Sequence, residues 1–142
     1  MTRRRSIAAI ACLAGPFAAC RPAAELPPNL FPENAAGGWR RISMSDLPAS
    51  ESPDPVPRTA VDRLVTASYN GPGKLDARVY ALSSEADSLE LMQRWRPSAD
   101  TVFFNQGRLF VVIKWQSADR KLLQEFVTEL EKRLASTKHG RN

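Results

Sequence analysis

The side chains able to do chemistry in this chain are few. The two cysteines, Cys12 and Cys20, both fall in the first twenty residues, and the one histidine, His139, falls in the polar segment 136–142. A metal site needs converging ligands, and a single histidine far from either cysteine supplies none, so no metal ligand is expected. Nucleophilic catalysis needs Ser, Thr or Cys beside a base. No histidine lies between residues 21 and 138, so a Ser/His/Asp arrangement is not expected either. Lys74 and Lys114 leave Ser/Lys chemistry open, but each sits on a strand pattern without a flanking serine motif. Asp87 with Glu90, and Glu129 with Lys132, have the spacing of exposed helix-surface pairs. Asn70-Gly71-Pro72-Gly73 precedes a strand pattern rather than a helix, the wrong context for a phosphate cradle. No catalytic residue is assigned, and no cofactor is expected.

Cys20 has the most informative neighbourhood. Arg3, Arg4 and Arg5 lead into an apolar run from Ile7 to Ala19, which ends in Phe17-Ala18-Ala19-Cys20 with Arg21 and Pro22 next. A basic cluster, an apolar run and small residues in that order make an export signal. The ending resembles the lipobox of bacterial lipoprotein precursors. In that family a diacylglycerol is added to the cysteine sulfur, and a dedicated peptidase cuts just before it. Ala18 and Ala19 match the small residues that the peptidase requires, while Phe17 stands where the family usually has Leu. The resemblance makes Cys20 the lipidation site. It also implies a membrane-anchored protein on the periplasmic side, at the outer membrane because Arg21 rather than Asp follows the cysteine.

Other readings of this segment fit less well. A spanning helix needs about 20 apolar residues, and this run stops at Arg21 and contains Pro16. Ordinary secretory cleavage wants small residues at positions −1 and −3. Cutting after Ala18, Ala19, Ala23 or Ala24 puts Pro16, Phe17, Arg21 or Pro22 at −3. A cytosolic helix would not need a basic cluster followed by an almost wholly apolar run. Cys12 then leaves with the signal, so the rest of the chain has no free thiol and no disulfide.

The charge balance follows from the same division. Twenty basic and fifteen acidic residues give +5. Three of the basic residues are Arg3 to Arg5, and residues 1–19 contain no acid, so +2 remains after cleavage. That is not a nucleic-acid footprint. Arg94-Trp95-Arg96 reads as a helix-end tryptophan packed inward between two solvated arginines.

The elements that must position these residues follow from periodicity. Segment 20–38 carries four prolines and reads as the lipidated cysteine plus a Pro-rich tether, extended at about 3.1 Å per residue and so reaching roughly 50 Å. Leu30-Phe31 is its one apolar pair. Segment 39–135 reads as a single α+β domain, and 136–142 as a polar tail. Trp39 to Leu47 reads as a strand, and Pro48 to Pro57 as a mobile loop. Ala60, Val61, Leu64, Val65 and Ser68 recur at helical spacing, predicting a helix that Asn70-Gly71-Pro72-Gly73 ends. Leu75 to Leu82 alternates as a strand. Ser84 to Asp87 has capping-box spacing and opens a helix to about Trp95, with Leu89, Met92 and Trp95 inward. Thr101 to Asn105 and Arg108 to Trp115 form a hairpin whose second arm is apolar on both faces, as a central strand would be. Ser117 caps a last helix, with Leu122, Leu123, Phe126, Val127, Leu130 and Leu134 as its buried stripe.

The expected fold is therefore α+β: a mostly antiparallel sheet of about four strands, helices packed on one face, and the C-terminal helix closing the core. Segment 69–134 also resembles small exported bacterial domains of unknown function. The likeness lies in Val79-Tyr80 after a Gly turn and in Gly107-Arg108-Leu109-Phe110-Val111 before a Leu-rich helix, and it carries no catalytic residue across. The function expected is a non-enzymatic envelope lipoprotein. Its partners would be the membrane, through the lipid anchor at Cys20, and an envelope protein or small ligand, with no nucleic acid. The alternative is a lipid-anchored enzyme using carboxylate or Ser/Lys chemistry.

Overall fold

Alternating side chains build one antiparallel sheet. The computed structural model describes residues 26–96 and 98–136. Cys12, Cys20, the expected export signal and His139 lie outside the described residues. The strands are β1 (Asn34–Ala35), β2 (Trp39–Leu47), β3 (Val61–Asn70), β4 (Lys74–Leu82), β5 (Thr101–Gln106) and β6 (Leu109–Gln116). They lie in the order β1-β2-β3-β4-β6-β5, every pair antiparallel. Two helices, α1 (Glu85–Arg94) and α2 (Arg120–Ser136), complete the described fold. The α+β class agrees with the expectation, but the sheet has six strands rather than four.

The extra central strand replaces an expected helix. Residues 61–70 fit a helical spacing through Val61, Leu64, Val65 and Ser68, yet they form β3. Val61, Val65, Thr66 and Tyr69 favour the pleated strand surface. In the strand, Val65, Ala67 and Tyr69 turn to one face, and Leu64 turns to the other. Asn70-Gly71-Pro72-Gly73 is then a hairpin turn between β3 and β4, pairing Asn70 with Lys74, and not a helix stop.

The helices cover opposite faces of the sheet, which corrects the one-face arrangement. On one face, Val65, Ala67, Tyr69, Leu75, Ala77, Val79, Val111 and Ile113 pack against Leu123, Phe126, Val127, Leu130 and Leu134 of α2. On the other, Leu64, Tyr80, Leu82, Phe110 and Val112 pack with Leu91 of α1 and Val56 of the loop before β3. The cause is visible on β4 and β6: both strands carry large apolar residues on both sides, so each side must be covered. Phe126 lies edge-on to Tyr69 and Trp39, with ring centroids 5.0 and 6.4 Å away.

Three further details differ from the sequence reading. Leu30 and Phe31, placed in a tether, are 6% and 1% exposed and belong to the α2-face core, together with Ala35 of β1. The tyrosine hydroxyl of Tyr69 donates to the Pro32 carbonyl at 2.8 Å, and Arg133 donates to the Asn29 carbonyl at 3.1 Å. The domain therefore begins by Leu30, not at Trp39. Second, α2 is capped by Asp119, whose carboxylate accepts from the amides of Lys121 (2.9 Å) and Leu122 (3.2 Å). Ser117, the expected cap, instead takes a left-handed backbone with φ 54°. Third, Leu89 of α1 faces solvent, 55% exposed. The cap of α1 is as expected: Ser84 Oγ accepts from the Asp87 amide at 3.1 Å.

Candidate binding cleft

The α1 face is only partly filled, and what remains is a cleft. β4 directs Arg78, Tyr80 and Leu82 to this face, and β6 directs Phe110, Val112 and Lys114. The segment 48–60 crosses above the sheet, with Pro53, Pro55 and Pro57 restricting its backbone. Residues 87–96 and 98–101 stand opposite, through α1 and the start of β5. Between them lies a cavity of about 620 Å³. Its apolar lining includes Pro55, Val56, Leu82, Leu91 and Trp95, and the register partners Thr101 and Lys114 also line it. Trp95 is held there by Phe110 and Phe103, with ring centroids 5.1 and 5.9 Å away.

Asp54 pins the loop to the sheet. Its side chain is 1% exposed. Arg78 Nη1 donates to both carboxylate oxygens, at 3.1 and 3.2 Å, and the Tyr80 hydroxyl donates to Oδ2 at 2.6 Å. Ser52 Oγ lies 2.8 Å from the Tyr80 oxygen and donates to the Asp54 carbonyl at 3.1 Å. Lys114 Nζ stands 3.6 Å from Asp54 Oδ1 with its side chain 47% exposed. A carboxylate taken from water is costly unless paired and hydrogen-bonded, and here both conditions hold. Burial first, and then the hydrogen bond to Asp54, push the Tyr80 phenol far above its ordinary value. Tyr80 is therefore a proton donor to Asp54, not a base.

The candidate residues from the sequence are distributed unevenly around this cleft. Lys114, Asp87 and Glu90 line it. Glu90 is paired with Arg94 at 2.6 Å along α1. Lys74 pairs in register with Gln116 at the far end of the sheet and is exposed. Glu129 lies on α2, bound to Arg133 at 2.7 Å and to the Ala36 amide. Arg96 is exposed at the cleft rim, while Trp95 packs inward as expected. Among the described residues, no group of three or more His, Cys, Asp or Glu could hold a metal ion.

Comparison with protein-family models, with curated proteins and with solved structures finds no match. The geometry of the cleft is thus the sole guide to its chemistry. Asp54, Arg78 and Ser52 were not singled out in the sequence, and Tyr80 entered only through the Val79-Tyr80 likeness. A signal for them exists: β4 carries Asp76, Arg78 and Tyr80 on the face opposite Leu75, Ala77 and Val79. Three polar groups on one side of a central strand call for a buried partner. Asp54, between Pro53 and Pro55, was hidden inside a segment whose composition reads as loop.

Taken as a surface, the cleft can seat a ligand through apolar contact. Its walls are proline rings, aliphatic side chains and an indole, and Asp54, Glu90, Arg94 and Lys114 have charge partners on the protein. Lys114 shares the Asp54 carboxylate with Arg78 and Tyr80, so this group keeps one net positive charge.

Proposed function

We propose that this chain is an envelope lipoprotein, anchored by lipid at Cys20 on the periplasmic side of the outer membrane, whose domain is a non-enzymatic binding module. The domain takes a small, largely apolar ligand into the cleft between the Pro53–Pro57 loop and α1. The observation that carries this reading is the cavity itself. Pockets of 300–1,000 Å³ with mainly apolar walls and a few fixed polar groups are the usual form of small-ligand sites, and this one is about 620 Å³. The anchor rests on the lipobox resemblance at Phe17-Ala18-Ala19-Cys20. Among the described residues, no helix is long and apolar enough to cross a membrane.

The test uses N-phenyl-1-naphthylamine, a neutral apolar fluorophore. The native protein should enhance its emission saturably, with a stoichiometry near one. Thr59 lines the cleft and is exposed, so Thr59→Phe should obstruct it without touching the core. Retained binding by a folded Thr59→Phe protein, or no binding by the native one, would reject the cleft as the site.

A further inference from the structure

We infer that the ligand of this cleft is a single-chain amphiphile bearing one negative charge, its anionic head at Lys114 and its chain running toward Leu82. The inference rests on the cleft being the binding site and adds the chemical class.

The first support is shape. Leu82 and Lys114 both line the cavity, and the strand register separates them. Lys114 pairs in register with Asp76, six residues along β4 from Leu82. Its Nζ reaches back to Asp54, which sits over Arg78. Arg78 and Leu82 are four residues apart, about 13 Å at strand rise. Pro55 and Val56 of the loop and Leu91 and Trp95 of the α1 segment share the lining with Leu82 and Lys114.

The second support is the placement of charge. Six ionisable side chains line the cleft: Asp54, Asp87, Glu90, Arg94, Arg96 and Lys114. Asp54 is held by Arg78, and Glu90 is paired with Arg94. Asp87 lies in the first turn of α1, just after β4 ends at Leu82. The chain then runs through Arg96 and Ser98 to Thr101, the register partner of Lys114. The carboxylate of Asp87 stays at the Leu82 end, while Arg78 and Lys114 share the single carboxylate of Asp54, so one net positive charge remains at the Lys114 end. Ser98 and Thr101 add hydroxyls there, 3.0 Å from each other. An anion entering with its charge first meets Lys114 and two hydroxyls, and its apolar chain meets proline, leucine and tryptophan. A dianion would meet the Asp54 carboxylate beside Lys114, so a single charge fits best.

Decanoate and 1-decanol share one chain and differ only in the head. Both should displace N-phenyl-1-naphthylamine from the native protein, and decanoate should bind roughly fivefold tighter at low salt, the scale of a half-exposed ion pair. The preference should shrink in high salt. Lys114→Met should abolish it and leave decanol affinity unchanged, and Lys114→Arg should restore it. Equal binding of both compounds to the native protein, or a preference that survives Lys114→Met, would overturn the inference while leaving the cleft as the site. Failure of both compounds to displace the fluorophore would instead remove the cleft reading. The melting temperature of each variant, measured alongside, distinguishes lost recognition from lost folding.

Discussion

Phe31→Ala probes whether the segment before Trp39 belongs to the domain. Phe31 is 1% exposed and sits with Leu30, Ala35, Trp39 and Tyr69 under α2. Removing a buried Phe side chain loses its transfer free energy and leaves a cavity, together about 3–5 kcal/mol. The loss has a ceiling, because the segment can peel away rather than tolerate a hole. The ceiling is the net docking free energy of residues 26–35. That sum includes the burial of Leu30 and Phe31, at about 1.5–3 kcal/mol each, and the hydrogen bonds from Tyr69 to Pro32 and from Arg133 to Asn29. Urea melts of a soluble form starting at Arg21 should show a midpoint shift equivalent to roughly 3 kcal/mol. Phe126→Ala on α2, which cannot peel away alone, should cost at least as much. A loss below about 1 kcal/mol for Phe31→Ala, with Phe126→Ala near 4, would mean that the segment is the loose tether its composition suggests. The assigned start of the domain would then be wrong.

Three other outcomes follow from the same structure. The chain has two tyrosines, and both are buried. Burial pushes Tyr69 up to about 12 and Tyr80 higher, so their contribution to stability is intact below pH 10. It is lost as pH rises toward 12, because the unfolded chain releases protons that the folded one keeps, by up to about 1.4 kcal/mol per pH unit for each tyrosine. Phenolate absorbance should therefore appear together with unfolding, and a titration near pH 10 in a still-folded protein would contradict this. Gly37 and Gly38 both have positive φ, 90° and 79°, but a Cβ on Gly37 would lie 2.5 Å from the Leu122 carbonyl oxygen, whereas one on Gly38 meets nothing within 4 Å. Thermal melts should thus show Gly38→Ala costing about 1–2 kcal/mol and Gly37→Ala clearly more; equal effects would refute the close approach of this turn to α2. Finally, Cys20→Ser should abolish lipid labelling and shift the protein out of the membrane fraction. With residues 21–25 alone between Cys20 and Leu26, energy transfer in lipidated protein should place residue 28 within about 25 Å of the headgroups, and a separation near 50 Å would refute the short leash.

Periodicity was sufficient wherever one pattern dominated. The strand at Leu75–Leu82, the hairpin after Thr101, the Ser84 cap and the buried stripe of α2 could all be read from residue order, since side-chain direction repeats every two residues in a strand and every 3.6 in a helix. The two-sided apolar character of Leu109–Trp115 also announced a central strand. The same observation held the correction to the one-face arrangement, because a strand apolar on both sides needs cover on both. Residues 61–70 carried two patterns at once, and pairing with β2 and β4 on either side decided in favour of the strand, as tertiary context overrides local preference. Composition likewise described 26–35 and 48–57 correctly as proline-rich, yet one is core strap and the other cleft wall. A proline-rich segment is extended whether it hangs free or packs; which it does depends on whether a matching surface exists elsewhere in the chain. The export signal and Cys20 are properties of contiguous residues, so sequence alone determines that reading. The cleft joins Asp54, Arg78, Tyr80, Trp95 and Lys114 from a loop, two strands and a helix end. No local pattern links residues so far apart in the chain, and only the closing of the sheet brought them within hydrogen-bonding and packing distance.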